Sequence, residues 1–436
     1  MAVEKSANTV SWPAYSLDNP EANLEKRYQG PPRNVKPIQE FKVKPELLPP
    51  KYEIDGTEPA SKILFINVNI IESTGRESYK GSVYIQGERI THVGEERTML
   101  PGFWLYNVGF RLYAYATSAD AIVTRCFGAA AAKDRLDVAV RDAINAGSIP
   151  GPRSLANARE IVKPDGDLNG DISSLASSVD DFRRIIKTLA DLGVDNVKLS
   201  MSGEAITETR SAEDCYYTEE ETRIATEEAH KYGKRVCSHA RARDSVIQCA
   251  KHDVDVIYHA SFTCDEGMKL LEEKKDHIIV APAINFLWAT LYDAEAFGYS
   301  YSAAESIGYK RETEIAVAAL REMHRRGIII LPGGDYGFGW CPHGTYARDL
   351  MHFHKLLDMT THESIIAATA GMGALMGRPH ELGKIQPGYY ADLILVDGNP
   401  IEDIEILQNH DKLNIIMING RVHKASRNEF IRDAVL

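Results

Sequence analysis

From residue 61 onward the apolar positions fall into two rhythms. Near both ends they form short β-branched runs: ILFINVNIIE and GSVYIQGERITHVGE early, ADLILVDGNP and LNIIMINGRVHK late. Gly-Glu, Asp-Gly and Asn-Gly pairs punctuate them, as hairpin turns require. Neither segment has enough strand to bury its apolar face alone, so the two are expected to join into one small β-sandwich. Between them, short apolar runs alternate with amphipathic helices. Strand candidates are AIVTRCF, NVKLSM, RVCSHA, VIYHAS, IIVAPA and IIILPGG; helices such as TEEETRIATEEAHKYG and KRETEIAVAALREMHRRG lie between them. The second helix sets Ile315, Ala318, Ala319 and Met323 on one face at helical spacing. Glycine follows the helices before the next strand, a C-terminal cap suited to helix–strand loops. Strand–helix alternation of this kind predicts an α/β fold, a (β/α)8 TIM-type barrel.

The expected boundaries are 1–60 for an N-terminal extended arm, 61–100 and 385–436 for the composite β-sandwich, and 101–384 for the barrel. Seven prolines between Pro20 and Pro50 rule out regular helix over much of the arm. An arm of this kind can wrap a partner subunit, and a homo-oligomer is expected. A single large core plus a satellite suits 436 residues.

Charge narrows the partners. The net charge of −12, with no basic run interleaved with aromatics, points away from nucleic acid and from an anionic membrane. No apolar run approaches the ~20 residues that span a bilayer, and the N-terminus has no apolar signal core. The six cysteines, Cys126, Cys215, Cys237, Cys249, Cys264 and Cys341, are scattered, as in reduced thiols of a cytoplasmic protein. A largely apolar pocket fed by Phe286, Trp288 and Trp340 would suit a small organic molecule as substrate better than a peptide.

In a barrel, chemistry gathers where strands end. Lys198 ends NVKLS, where an unpaired charge inside an apolar strand is costly. His239 ends RVCSHA, His259 sits in VIYHAS twenty residues on, and Asp335 follows IIILPGG. A lone histidine near a strand end is more often a satisfied core residue. Lys, His, His and Asp, each at its own strand terminus, form a functional constellation.

Order and context resemble the amidohydrolase superfamily, in its peptidase-like and imidazolonepropionase-like branch. The similar segments are RDAINAGSIPGPR, GVDNVKLSMSG, EEAHKYGKRVCSHA, VDVIYHASF, LPGGDYG, ELGKIQPGYYADLILVDGNP and IIMINGRVHK, covering most of residues 61–424. The resemblance implies that Lys198 is carbamylated and bridges two divalent metals. It implies that His239 and His259 ligate one metal, and that Asp335 ligates the other and acts as general base. Imidazole and carboxylate suit zinc or manganese, and such an ion lowers the pKa of its water to about 7.

Two departures qualify that expectation. The family writes its first strand PGxxDxHxH; here PGFWLYNVG puts Leu105 in place of the aspartate and Asn107 and Gly109 in place of the histidines. Glycine has no ligand and an amide is a poor zinc donor. No histidine lies between His92 and His230 to rescue the site, so at most one divalent ion per chain is expected. Only about ten residues, Phe110 to Ala119, separate that strand from AIVTRCF, barely a crossover, so the barrel is expected to be distorted at its first strand and helix.

Further candidates flank the constellation. His343 is a possible acid/base group on the loop beyond Asp335. Arg241 and Arg243 could grip a substrate carboxylate, with one of them pairing with Asp244 or another acid. Tyr258, Tyr336 and Trp288 either line the pocket or pack. His352 and His354, at i, i+2, share no helical face and are rejected as a metal pair. Three readings follow: a one-metal hydrolase of an amide-type C–N bond; a metal-free isomerase, lyase or cyclase in the same pocket; and a binding or scaffold protein that kept only the fold.

Overall fold

The computed structural model describes residues 62–95, 111–114, 134–146, 148, 152–167, 173–205, 210–342 and 344–425. The N-terminal arm, the first-strand segment with Leu105, Asn107 and Gly109, the run AIVTRCF and His343 lie outside the described residues. Among the described residues no helix is long and apolar enough to cross a membrane, and five cysteines are free thiols.

Four strands open the described chain: β1 (Ile63–Ile71), β2 (Tyr79–Gln86), β3 (Arg89–Glu95) and β4 (Arg111–Ala114). Seven follow in the middle: β5 (Glu160–Val162), β6 (Ser173–Leu175), β7 (Asn196–Ser200), β8 (Arg235–Ala240), β9 (Val256–His259), β10 (Ile279–Ala281) and β11 (Ile329–Ile330). Three close it: β12 (Leu393–Val396), β13 (Leu413–Ile418) and β14 (Arg421–Ala425).

The middle strands form one sheet in the order β11-β10-β9-β8-β7-β5-β6. Every pairing in it is parallel, and helices connect the strands, as in a TIM-type barrel. The helices form where the pattern places them, at Glu219–Lys231 and Tyr309–Arg326. The second of these buries Ala318, Ala319 and Met323 together with Ala316, Val317 and Leu320, an arc wider than one stripe; Ile315 is only half-buried. Gly193, Gly233 and Gly327 take positive φ after their helices. The helix Arg243–Lys251 breaks that rule, because Asp253 fills the left-handed position instead; aspartate tolerates it better than most residues.

The flanking sheet runs β14-β13-β12-β4-β1-β2-β3, so strands from both ends of the chain are hydrogen-bonded edge to edge. The strand β4, in the stretch expected to be the first barrel crossover, is instead part of this sheet, parallel to β1 and antiparallel to β12. Period-two alternation gives the sheet two apolar faces. Val68, Ile70, Val83, Leu393, Leu395 and Met417 enclose a core of their own. Ile71, Ile394, Val396 and Ile416 pack with Tyr336, Tyr346, Leu350 and Ile365. Polar ties reinforce this second contact: Arg153 pairs with buried Asp392, and the Thr369 hydroxyl donates to Ser73 Oγ at 2.8 Å.

Candidate active site at the strand ends

Parallel register gathers the candidate residues. Ser200 on β7 pairs with His239 on β8, and Ala240 pairs with His259 on β9. Lys198, His239 and His259 are therefore delivered by three adjacent strands, and all three are buried. Asp335 follows β11. Two of these residues carry backbone strain, with φ of +71° at His259 and +54° at Asp335. Left-handed backbone is uncommon for a residue with a Cβ, and such conformations cluster at functional sites.

The imidazoles face each other. His239 Nε2 lies 3.2 Å from the Gly203 carbonyl; that oxygen can only accept, so Nε2 carries the proton and Nδ1 is a bare lone pair. His259 Nε2 stands 3.0 Å from this Nδ1, and its own Nδ1 is buried without a hydrogen-bond partner. Burial, then the positive charge of Arg241, holds both rings well below the usual imidazole range. Both are neutral near pH 7, the form that ligates metals.

The lysine has a partner that the strand pattern left hidden. Lys198 Nζ lies 3.5 Å from Glu160 Oε2 and 5.0 Å from the centre of the Tyr258 ring. Glu160 opens β5, the strand beside β7. Burial raises the Glu160 carboxyl above its ordinary range, and the charge of Lys198 opposes that rise. Asp335 is raised as well, by desolvation, against the pull of Arg241 and Lys198. An acid inside AREIV, answering a lysine inside NVKLS, was the sequence signal for this pair, but a three-residue strand shows no periodicity.

Arg241 is fully buried, and its guanidinium is spoken for. Its Nη1 donates to Glu312 Oε1 and its Nη2 reaches Glu204 Oε2, each at 2.6 Å. Ser261 donates to Glu312 at 2.7 Å and Tyr309 to Glu204 at 2.9 Å. Burial pushes the Glu204 carboxyl up to about 7. This placement favours a strut beneath the site over the expected grip on a substrate carboxylate. Arg243 pairs with Asp244 at 2.8 Å on the surface.

The remaining candidates divide. Tyr258 stays at the site, its ring beside the Lys198 ammonium. Tyr336 turns away, packing edge-on against Tyr346 with centroids 4.7 Å apart, in the apolar layer under the flanking sheet. The same ring fills the space beside Gly334, since a Cβ there would lie 2.5 Å from it. Trp288 packs against Tyr292 and His352. His352 meets Asn285 Oδ1 and His354 the Met359 carbonyl, so the two histidines serve separate ends.

The two neutral imidazoles, with nitrogens 3.0 Å apart and one tautomer fixed by Gly203, fit a single divalent ion. Among the described residues no group of three or more His, Cys, Asp and Glu side chains is placed to hold one. Lys198, which the resemblance would make the carbamate bridge, is paired with Glu160 here.

The sequence model described as the amidohydrolase family matches residues 123–423. Ochratoxinase from Aspergillus niger is 23% identical over 425 residues, covering 85% of this chain and 84% of that protein. Imidazolonepropionase from Thermoanaerobacter pseudethanolicus is 20% identical over 208 residues, 46% of this chain and 43% of that one. Among solved structures, a Xaa-Pro dipeptidase superposes with a TM-score of 0.72 at 20% identity, covering 84% of this chain and all of that one. The A. niger ochratoxinase structure superposes at 0.69 with 18% identity, over 84% and 96% of the two chains. Likeness at this distance establishes a shared fold.

Proposed function

Because the chain belongs to the amidohydrolase family, we propose that it is a hydrolase of an amide-type C–N bond in a small organic molecule. The observation that carries this reading is the placing of Asp335 and the neutral His239–His259 pair at the ends of parallel strands, with His259 and Asp335 both held in left-handed backbone. The names of similar proteins, ochratoxinase and Xaa-Pro dipeptidase, support the same bond class.

Asp335 is the general base. Its carboxyl is raised by desolvation, which brings it closer to the pKa useful for taking a proton from water near neutral pH. His239 and His259 would hold one divalent ion, zinc or manganese, which when bound supplies a Lewis acid that polarises the substrate carbonyl. Gly203 fixes the His239 ring through its carbonyl, the role an outer partner plays for a ligating imidazole. Lys198 adds positive charge at the same edge, and Arg241 holds the floor in place from below. Tyr258, whose ring lies beside the Lys198 ammonium, flanks the substrate.

The test pairs two measurements on one substrate drawn from N-acyl amino acids and Xaa-Pro dipeptides. Asp335→Asn is expected to cut kcat by ~10²–10⁴-fold, as loss of a general base does. Chelation and His239→Ala should each be as damaging. Sensitivity to Asp335→Asn with indifference to chelation would favour the metal-free isomerase, lyase or cyclase, a reading that the Lys198–Glu160 pair supports. Indifference to both would leave a binding protein.

A further inference from the structure

Lys198 is where the family pattern and the geometry part. A carbamate on its nitrogen would suit a bridge between two ions. The structure instead sets Nζ 3.5 Å from Glu160 Oε2, with the lysine 6% and the glutamate 2% exposed. Backbone register delivers the carboxylate: β5 pairs with β7 through Ile161 and Leu199, one residue beyond each partner of the ion pair. The face of Tyr258 lies 5.0 Å from the same nitrogen, a contact that favours a cation. We infer that Glu160 keeps Lys198 as a free ammonium, so that this strand presents a cation to the substrate where a carbamate bridge would stand.

The balance of the alternative explains why. Carbamylation converts Lys–NH3⁺ and CO2 into Lys–NH–COO⁻ and two protons. The first proton leaves to expose the nitrogen lone pair, an N–C bond forms to carbon dioxide, and the second proton leaves that nitrogen. The lysine passes from +1 to −1 beside an acid already in contact with it, so attraction across a dry gap becomes repulsion. A second ion could offset the added charge, but the first-strand positions that would anchor it are Asn107 and Gly109. An ammonium held in this way offers N–H donors to an oxygen that gains negative charge, such as the carbonyl oxygen of an amide under attack. This role rests on the hydrolase reading, whereas the state of the lysine can be read on unreacted protein.

The experiment equilibrates the full-length protein with zinc and ¹³C-bicarbonate. Carbon NMR then looks for a carbamate, and alkylation with a trialkyloxonium salt followed by peptide mass spectrometry locates it. The wild type is expected to show no label on Lys198. Glu160→Gln and Glu160→Ala, which remove the charge, are expected to gain a stoichiometric carbamate there. A labelled carbamate on wild-type Lys198 overturns the inference, and this measurement needs no variant. If variants with wild-type circular dichroism stay unlabelled, the role of Glu160 is overturned. A carbamate-free protein that hydrolyses no amide would sink the hydrolase reading and leave the ammonium standing.

Discussion

Replacing Arg241 by methionine separates a structural strut from a substrate clamp. The guanidinium is fully buried and joins Glu204 and Glu312 at 2.6 Å each, so its loss strands two buried carboxylates. Removing one partner of a buried ion pair costs about 3–5 kcal/mol. The hydroxyls of Ser261 and Tyr309 still donate to the two acids, which points to the lower end of that range. The pH dependence has a definite sign. Burial holds Glu204 at about 7 even with Arg241 present, above its unfolded value of about 4.3, and without the arginine it titrates higher still. A carboxyl raised on folding favours the folded state at low pH and loses that contribution as pH rises through the folded pKa. The deficit of the variant should therefore be largest above pH 7 and shrink toward pH 5. Urea unfolding followed by tryptophan fluorescence at pH 5, 6, 7 and 8 measures it. Adding Glu204→Gln and Glu312→Gln should restore much of the lost stability, because no charge is then left unpaired. A loss below about 1 kcal/mol, together with a raised KM only for substrates bearing a carboxylate, would refute the strut and reinstate the clamp.

Other outcomes follow from the same geometry. Asp349, pushed by burial up to about 7, should make the fold lose up to ~1.4 kcal/mol per pH unit as pH rises from 4 to 7; Asp349→Asn should flatten that part of the stability–pH curve. At Gly334 a Cβ would sit 2.5 Å from the Tyr336 ring, so Gly334→Ala should cost ~1–3 kcal/mol and displace the loop that carries Asp335, lowering both melting temperature and turnover. At Gly203 a Cβ would meet the Ser211 carbonyl at 2.1 Å; Gly203→Ala should weaken zinc binding in calorimetry by misplacing the carbonyl that orients His239.

The strand-end residues were legible because each is chemically out of place. A lysine, two histidines and an aspartate interrupt apolar runs, and a parallel barrel brings such interruptions to one edge. The flanking sheet was legible from alternation and from Asn-Gly, whose two residues adopt φ of +50° and +70° between β13 and β14. What stayed hidden depends on partners distant in sequence. The pairing of Arg241 was hidden because Glu312, 71 residues away, reaches it only through the fold. Glu160 sits in a strand of three residues, too short for any period. Tyr336 follows the left-handed Asp335, so no strand alternation foretold which way its ring turns. The segment Arg111–Ala114 read as a cramped crossover because its partners β1 and β12 are separated by more than three hundred residues.

The hydrolase reading is tested most directly by tracing solvent oxygen. The protein is incubated with N-acyl amino acids and Xaa-Pro dipeptides in H2¹⁸O, and the products are analysed by mass spectrometry after a single turnover. Cleavage by water is expected to leave one ¹⁸O in the carboxylate released and none in the amine, with the signal lost in Asp335→Asn. A product isomeric with its substrate, or fragments free of ¹⁸O, would contradict hydrolysis and assign this strand-end site to different chemistry.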